Sequence, residues 1–199
     1  AIFPKIAHLG QAGKISQMKT SISSAVVTTM TLVIPATVGM MVLAEPIIEL
    51  VFERKAFTSD DTIIVASLLS AYAPYIIFQS LTDVVDRGFY AVGDSKTPVI
   101  IVVIQQALNV ILNFVFIKYF DIQGLAYATV TSTAIGSIMM IYKFRDNFGA
   151  FNFKKTLISL GKIILATSLM AYLAYVSYGA LASRISHILA LFLAIIFAG

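Results

Sequence analysis

The stretch RGFYAVGDSKTP, from Arg87 to Pro98, separates two apolar runs that are each long enough to cross a membrane. About 20 apolar residues span the hydrocarbon core of a bilayer as an α-helix. Runs of this kind recur along the 199 residues, of which 59% are hydrophobic and only 12% are charged. Soluble domains carry roughly twice that charged fraction. The sequence therefore predicts an all-α, polytopic membrane protein with about six transmembrane helices.

The expected spans lie at about residues 25–43, 62–81, 97–119, 125–142 and 163–178, with a sixth that begins near residue 185. Pro35 and Pro74 fall inside the first two spans, where neighbouring helices can satisfy the freed backbone groups. The acidic segment between these two spans is predicted to be a loop, and Thr58–Asp61 is expected to cap the second span. We divide the chain into a basic connector at 1–24 after the end of a preceding helix, a lobe at 25–145, and two extra helices at 146–199, the last one truncated.

Positive charge is unevenly shared between the two ends of these spans. Ten of the 14 Lys and Arg residues lie in the connectors at 1–24, 83–97 and 143–162. Loops that stay in the cytoplasm carry an excess of Lys and Arg. We therefore expect the stretch Arg87–Pro98 to face the cytoplasm and the acidic segment to face the opposite side.

The sequence carries none of the common signatures of catalysis. Cysteine is absent, and the two histidines, His8 and His187, lie far apart in the chain. There is no HExxH, GxSxG or P-loop pattern. We expect no enzymatic activity, no organic cofactor and no nucleic-acid partner.

Polar side chains recur inside the third and fourth spans. Gln106, Asn109 and Asn113 follow the i, i+3, i+7 spacing of one helix face, and Thr129 and Thr133 follow i, i+4 in the next span. The short turn between the spans predicts an antiparallel hairpin that brings Asn113 and Thr129 to similar depth. Such groups either join helices by hydrogen bonds or supply oxygen ligands to a hard cation. The spacing alone leaves both interpretations open.

The connector has its own local signals. Asp83 and Arg87 have the i, i+4 spacing of a helical ion pair. Gly88 and Gly93 permit a tight turn, which predicts a hinge and gate. Asp94 or Ser95 is expected to cap the helix that Pro98 opens.

Four segments together resemble one family. The connector resembles the FYAxGDxxTP signature of the lipid II flippases, the MurJ/MviN family. LAEPIIELVFERKAFTSDDT resembles the family's acidic segment, with Lys55 where glycine is usual. FPKIAHLGQAGK and IQGLAYAT resemble its helix exit and helix start, and the matches follow the family's order from Phe3 to Thr129.

The resemblance implies part of a transporter with roughly fourteen helices, in the multidrug/oligosaccharidyl-lipid/polysaccharide exporter superfamily. Two lobes of such a protein enclose a cationic cavity and translocate lipid II across the bacterial inner membrane by alternating access. By this likeness the chain holds the end of the eighth helix, the ninth to thirteenth helices and part of the fourteenth. Its expected partners are lipid II or a related polyprenyl-diphosphate lipid, membrane lipids, and the missing N-terminal lobe of the same protein.

The resemblance also assigns roles to individual positions. It implies a substrate-cavity residue at His8, where the family commonly carries arginine. The hinge-and-gate hypothesis adds Arg87, Gly88, Gly93 and Asp94 as candidate gate residues. The resemblance implies a sodium site formed by Asn109, Asn113, the carbonyl of Leu125 and Thr129, with Asn113 where the family can have aspartate. The alternatives are another exporter of the superfamily, carrying a polyprenyl-linked oligosaccharide or a drug, and a membrane scaffold without transport.

Overall fold

A computed structural model describes residues 2–54, 57–149 and 153–182. Within these ranges the chain is all helical, as predicted, and forms eight α-helices: α1 (Ile2–Gln11), α2 (Ile15–Val42), α3 (Ala44–Phe52), α4 (Ser59–Tyr72), α5 (Tyr75–Ala91), α6 (Lys96–Phe120), α7 (Gln123–Phe148) and α8 (Phe153–Ala182).

Five helical stretches of the described chain are long and apolar enough to cross a membrane: Ile15–Val42, Ser59–Ala91, Lys96–Phe120, Gln123–Phe148 and Thr156–Ser177. They make the chain a multi-pass membrane protein. The sixth span, expected near residue 185, lies outside the described residues and stays a prediction.

The second span consists of two helices rather than one. Thr58 and Asp61 form a capping box, with Thr58 donating to Asp61 Oδ2 through its backbone N–H at 2.9 Å and its hydroxyl at 2.8 Å. These bonds satisfy donors at the start of α4. The break falls at Pro74, which has no N–H to continue the helical ladder. The rings of Tyr72 and Tyr75 stack across the break with their centroids 5.0 Å apart.

Helix α5 continues well beyond the predicted end of its span at residue 81. Val84, Val85 and Phe89 are buried along its last turns. Their apolar contacts keep the backbone helical through Arg87 and up to Ala91. The prediction that the whole stretch Arg87–Pro98 is a connector was therefore wrong, and the turn is confined to residues 92–95.

The acidic segment was also predicted incorrectly, because most of it forms α3. This helix packs against α4 through Ala44, Ile48 and Ala66. Glu53, which caps its C-terminus, accepts hydrogen bonds from Ser59 Oγ at 3.0 Å and from Thr62 Oγ1 at 2.8 Å. The apolar contacts and the two bonds to Glu53 hold the segment against α4.

The main core lies where α1, the start of α2 and the ends of α5 and α7 meet. Phe89 and Phe144 are fully buried there, and their rings form an edge-to-face pair with centroids 5.5 Å apart. Met18 and Ile22 are also fully buried, and they lie in the first part of α2, which begins at residue 15 and continues into the first span. The core fixes the helix ends on both sides of the connector.

Candidate functional site

The connector is a tight turn that needs glycine at one position. Gly93 has φ +81°, in the left-handed region that favours glycine. The N–H of Asp94 donates to the carbonyl of Phe89 at 3.0 Å, and the N–H of Gly93 donates to that of Tyr90 at 3.1 Å. These bonds satisfy carbonyls at the end of α5. A Cβ at Gly93 would meet no atom within 4 Å, so the requirement is set by backbone conformation rather than space.

Asp94 caps α6, whereas Ser95, the other predicted cap, makes no side-chain cap bond. Asp94 Oδ1 accepts hydrogen bonds from the N–H groups of Lys96 at 3.1 Å and Thr97 at 3.0 Å. Its Oδ2 accepts one from the Thr97 hydroxyl at 2.7 Å. The bonds from Thr97 hold the pKa of Asp94 below its ordinary value. The cap is therefore a carboxylate at neutral pH.

Gly88 does not lie in the turn, contrary to the prediction. It is a buried residue inside α5, and a Cβ built on it would overlap the ring of Phe144 and lie 2.7 Å from Cδ1 of Ile22. Gly10 on α1 meets Ala91 in the same way. Both glycines allow helices to approach closely beside the connector.

The predicted ion pair between Asp83 and Arg87 is replaced by other contacts. Asp83 Oδ1 accepts a hydrogen bond from Gln79 Nε2 at 2.8 Å. The Arg87 guanidinium carbon lies 5.0 Å from the ring centroid of Phe3, which is a cation–π contact between α5 and α1. His8 lies exposed in the last turn of α1. Arg87 is also exposed, so both side chains are available to a ligand.

The four residues expected to hold sodium are joined in one hydrogen-bond network between α6 and α7. Asn109 Nδ2 donates to Thr129 Oγ1 and to Ser132 Oγ, both at 3.2 Å. Asn113 Nδ2 donates to Asn109 Oδ1 at 3.1 Å. The Thr129 hydroxyl donates to the Leu125 carbonyl at 2.9 Å. The polar side chains of α6 and α7 therefore converge as predicted, and the hydrogen bonds between them join the two helices.

One oxygen of this network has no donor. Asn113 Oδ1 is buried and accepts no hydrogen bond from the described residues. A buried acceptor without a partner costs about 1–3 kcal/mol. The described chain has no group of three or more His, Cys, Asp or Glu residues placed for a metal ion. Amide, hydroxyl and carbonyl oxygens nevertheless fit a hard cation such as sodium, so the donor set is chemically suitable but uncharged.

The glutamine predicted to lie on the polar face of α6 was the wrong one of two neighbours. Gln106 is exposed, whereas Gln105 is 8% exposed and donates to Thr133 Oγ1 at 3.2 Å. Gly136 on α7 leaves the space that the Gln105 amide occupies. The spacing of Gln105, Asn109 and Asn113 is i, i+4, i+8, and this pattern was the available signal.

A second polar contact, which sequence reasoning missed, joins α5 to α7. The hydroxyls of Thr82 and Ser137 share a hydrogen bond of 2.7 Å, and Ser137 also contacts the Phe78 carbonyl at 2.8 Å. Thr82 and Ser137 are buried. Hydroxyl groups of this kind hold membrane helices together.

The sequence that forms this connector and these helices matches a known protein family. The sequence profile described as "Lipid II flippase MurJ" matches residues 1–196. The chain belongs to the MurJ lipid II flippase family. Members named as flippases are transporters.

Individual members of the family align with most of this chain. The lipid II flippase MurJ of Thermosipho africanus is 34% identical over 145 residues, which cover 72% of this chain and 30% of that protein. The probable lipid II flippase MurJ of Vibrio cholerae is 31% identical over 138 residues, covering 69% of this chain and 26% of that protein. A probable low-salt glycan biosynthesis flippase of Haloferax volcanii is also 31% identical over 138 residues, covering 69% and 28%. The matched region thus spans about a third or less of these relatives.

A solved structure supports the fold. "Lipid II flippase MurJ, inward closed conformation" superposes with a TM-score of 0.77 at 24% identity, over 100% of this chain and 41% of that one. At 24% identity this superposition shows that the two chains share a fold. The eight described helices therefore belong to a polytopic transporter fold of the MurJ family.

Proposed function

We propose that this chain is the C-terminal part of a protein that translocates lipid II across the bacterial inner membrane by alternating access. The observation that carries the proposal is the match of the MurJ profile to residues 1–196. The transport would be non-hydrolytic, driven by an ion gradient or by the membrane potential. The missing N-terminal lobe would complete the cavity.

In this proposal the connector at residues 92–95 serves as part of a cytoplasmic gate. Arg87 and His8 lie exposed near it, and cationic side chains there favour the diphosphate of a polyprenyl-diphosphate lipid. Gly93 and Asp94 hold the turn, while Gly88 fixes the helix that leads into it.

The same proposal includes a coupling cation at the α6–α7 network. Asn109, Asn113, Thr129 and the Leu125 carbonyl would hold sodium, and the unpartnered Oδ1 of Asn113 supports this assignment. The site would bind the ion with different affinity in different transport states, so binding and release of sodium would shift the balance between those states. A carboxylate from the first lobe would strengthen the attraction, because the described donors are neutral.

A second substrate class also has support. The relative in Haloferax volcanii is named a probable low-salt glycan biosynthesis flippase and is as similar as the relative in Vibrio cholerae. A polyprenyl-linked oligosaccharide is therefore the alternative substrate. Both substrates combine a long prenyl chain with a phosphate-linked sugar, so one fold can serve either.

Genetic replacement tests the proposed substrate. The full-length protein, produced in a bacterium depleted of its own lipid II flippase, is expected to restore growth and normal cell shape. A variant with Gly93→Val serves as the negative control, because its turn is strained. Failure to restore growth when the protein is inserted at normal levels would reject lipid II as the substrate.

A further inference from the structure

An open apolar groove lies between the first turns of α6 and the last turns of α7. Its volume is about 270 Å³, and its lining includes Thr97, Ile100, Ile104, Met139, Tyr142 and Lys143. The groove lies on a different part of the hairpin from the network of Asn109 and Thr129. It adjoins the connector at one point, where the Thr97 hydroxyl donates to Asp94 Oδ2 at 2.7 Å.

The groove is apolar inside and polar at one end. Ile100 is 58% exposed and Ile104 is 44% exposed, so aliphatic surface faces out from the candidate membrane span formed by α6. Tyr142 is 69% exposed and Lys143 follows it at the groove's end. Tyrosine and lysine favour the level of the lipid headgroups, where an apolar stem and a polar tip are both satisfied. Ile104 lies about 12 Å deeper along α6 than Lys96, at the level of acyl chains.

The positive charge of Lys143 at this end of the groove can change its partner. Lys143 Nζ lies 3.4 Å from Asp146 Oδ2, and the two side chains are 48% and 59% exposed. A surface ion pair of this kind contributes about 0–1 kcal/mol. A phosphate can therefore replace Asp146 as the partner of Lys143 at little cost. Lys96 at the start of α6 adds a second cation next to Thr97.

We propose that this groove binds an anionic glycerophospholipid of the cytoplasmic leaflet. One acyl chain lies along Ile100, Ile104 and Met139, and the phosphate contacts Lys143 and the Tyr142 hydroxyl. The excess of Lys and Arg in the connectors at this end assigns it to the cytoplasm, where anionic lipids are attracted to basic segments. The exposed Lys143 at the end of the groove complements the negative phosphate of such a lipid. The inference rests on the groove and is independent of the transported substrate.

The test measures thermal unfolding of the purified full-length protein in detergent during titration with phosphatidylglycerol or phosphatidylcholine. Phosphatidylglycerol is expected to raise the unfolding midpoint in a saturable way, and phosphatidylcholine is expected to have a much smaller effect. Lys143→Gln should require about fivefold more phosphatidylglycerol for half of the effect. Asp146→Asn should require less than the natural protein, because Lys143 loses its competing partner.

Two matched controls separate the groove from general lipid effects. Lys118→Gln removes a lysine from the opposite end of α6 and should leave the titration unchanged. Ile100→Trp should fill the groove and abolish the effect, whereas Ile111→Trp, at a position of similar exposure on α6, should not. Equal responses to the two lipids, or an unchanged titration in Lys143→Gln, would overturn the proposal.

Discussion

Gly88 of α5 lies directly against the ring of Phe144 of α7, and Cδ1 of Ile22 from α2 lies beside the same point. Three helices thus meet at a single glycine, just before the turn that carries Gly93. Any side chain at Gly88 must displace the Phe144 ring or the Ile22 side chain. The connector therefore begins from a rigidly packed helix end, and its freedom is confined to residues 92–95.

The first prediction concerns this contact. Gly88→Ala should lower the free energy of unfolding of the full-length protein by about 1–3 kcal/mol, because the added methyl overpacks a filled core. Thermal unfolding in detergent measures the change. Gly161→Ala is the matched control, since a Cβ there meets no atom within 4 Å. Alanine in a helix at an open position should be neutral or stabilising by up to about 1 kcal/mol. Equal effects of the two substitutions would contradict the packing role of Gly88.

The second prediction concerns the turn. Gly93→Val should abolish translocation and leave membrane insertion intact, because a β-branched residue is strained at φ +81°. Gly93→Asn should retain most activity, since asparagine tolerates this conformation. Transport in cells and the amount of protein in the membrane fraction are the two measurements. Full activity of the valine variant would exclude a role for the turn in gating.

The third prediction is a pH dependence at the cap of α6. Asp94→Ala should destabilise the protein by about 1 kcal/mol at pH 7, the usual effect of losing a helix cap. The hydrogen bonds from Thr97 lower the pKa of Asp94 from 3.8, so the carboxylate stabilises the folded state above that value. The stabilisation is lost as the pH falls through the lowered folded pKa. The difference between natural protein and variant should thus be constant near pH 7 and shrink below pH 3.8.

Ser95→Ala is the control for that experiment, because the Ser95 side chain makes no cap bond. The unfolding midpoint of Ser95→Ala should equal that of the natural protein at every pH. A difference between natural protein and Asp94→Ala that grows as the pH falls would have the wrong sign for a capping carboxylate.

The fourth prediction concerns the cation. Sodium should raise the unfolding midpoint of the full-length protein, and Asn109→Ala should remove this effect. Asn113→Asp should strengthen it, because a negative charge increases attraction for a cation in a poorly solvated site. Gln106→Ala is the control, since Gln106 is exposed and lies outside the network. If Asn113→Asp leaves the sodium response unchanged, the amides act only in helix packing.

The ends of α6 were predictable from the sequence, whereas those of α5 were not. The predicted span at 97–119 agrees closely with Lys96–Phe120, because Asp94 and Pro98 mark its start and the Asp121–Gly124 turn marks its end. Helix α5 was predicted too short because Asp83, Asp86 and Arg87 lower its apparent hydropathy. These charges share the helix with buried Val85 and Phe89, and only the packed structure reveals that apolar side.

The candidate site was predictable where a hairpin fixed the geometry. The short turn after α6 made the approach of the two polar helix faces a consequence of helix rise and spacing. The expected partner of Thr129 was Asn113, whereas the structure bonds Thr129 to Asn109, one helical turn away. The choice between Gln105 and Gln106 depended on how α7 packs, with Gly136 providing the space. Which glutamine is buried is therefore decided by the contact between α6 and α7, which the sequence of α6 alone does not contain. Gly88 was misplaced for the same reason, since its neighbours Ile22 and Phe144 are distant in sequence.

Transport of lipid II itself can be measured with the full-length protein reconstituted into vesicles. Lipid II placed in the leaflet that corresponds to the cytoplasm should become accessible to an enzyme or binding protein added on the other side. Gly93→Val vesicles, and vesicles without protein, should show only the background rate. The MurJ assignment predicts movement of lipid II well above that background. Movement of a polyprenyl-linked oligosaccharide without movement of lipid II would contradict it.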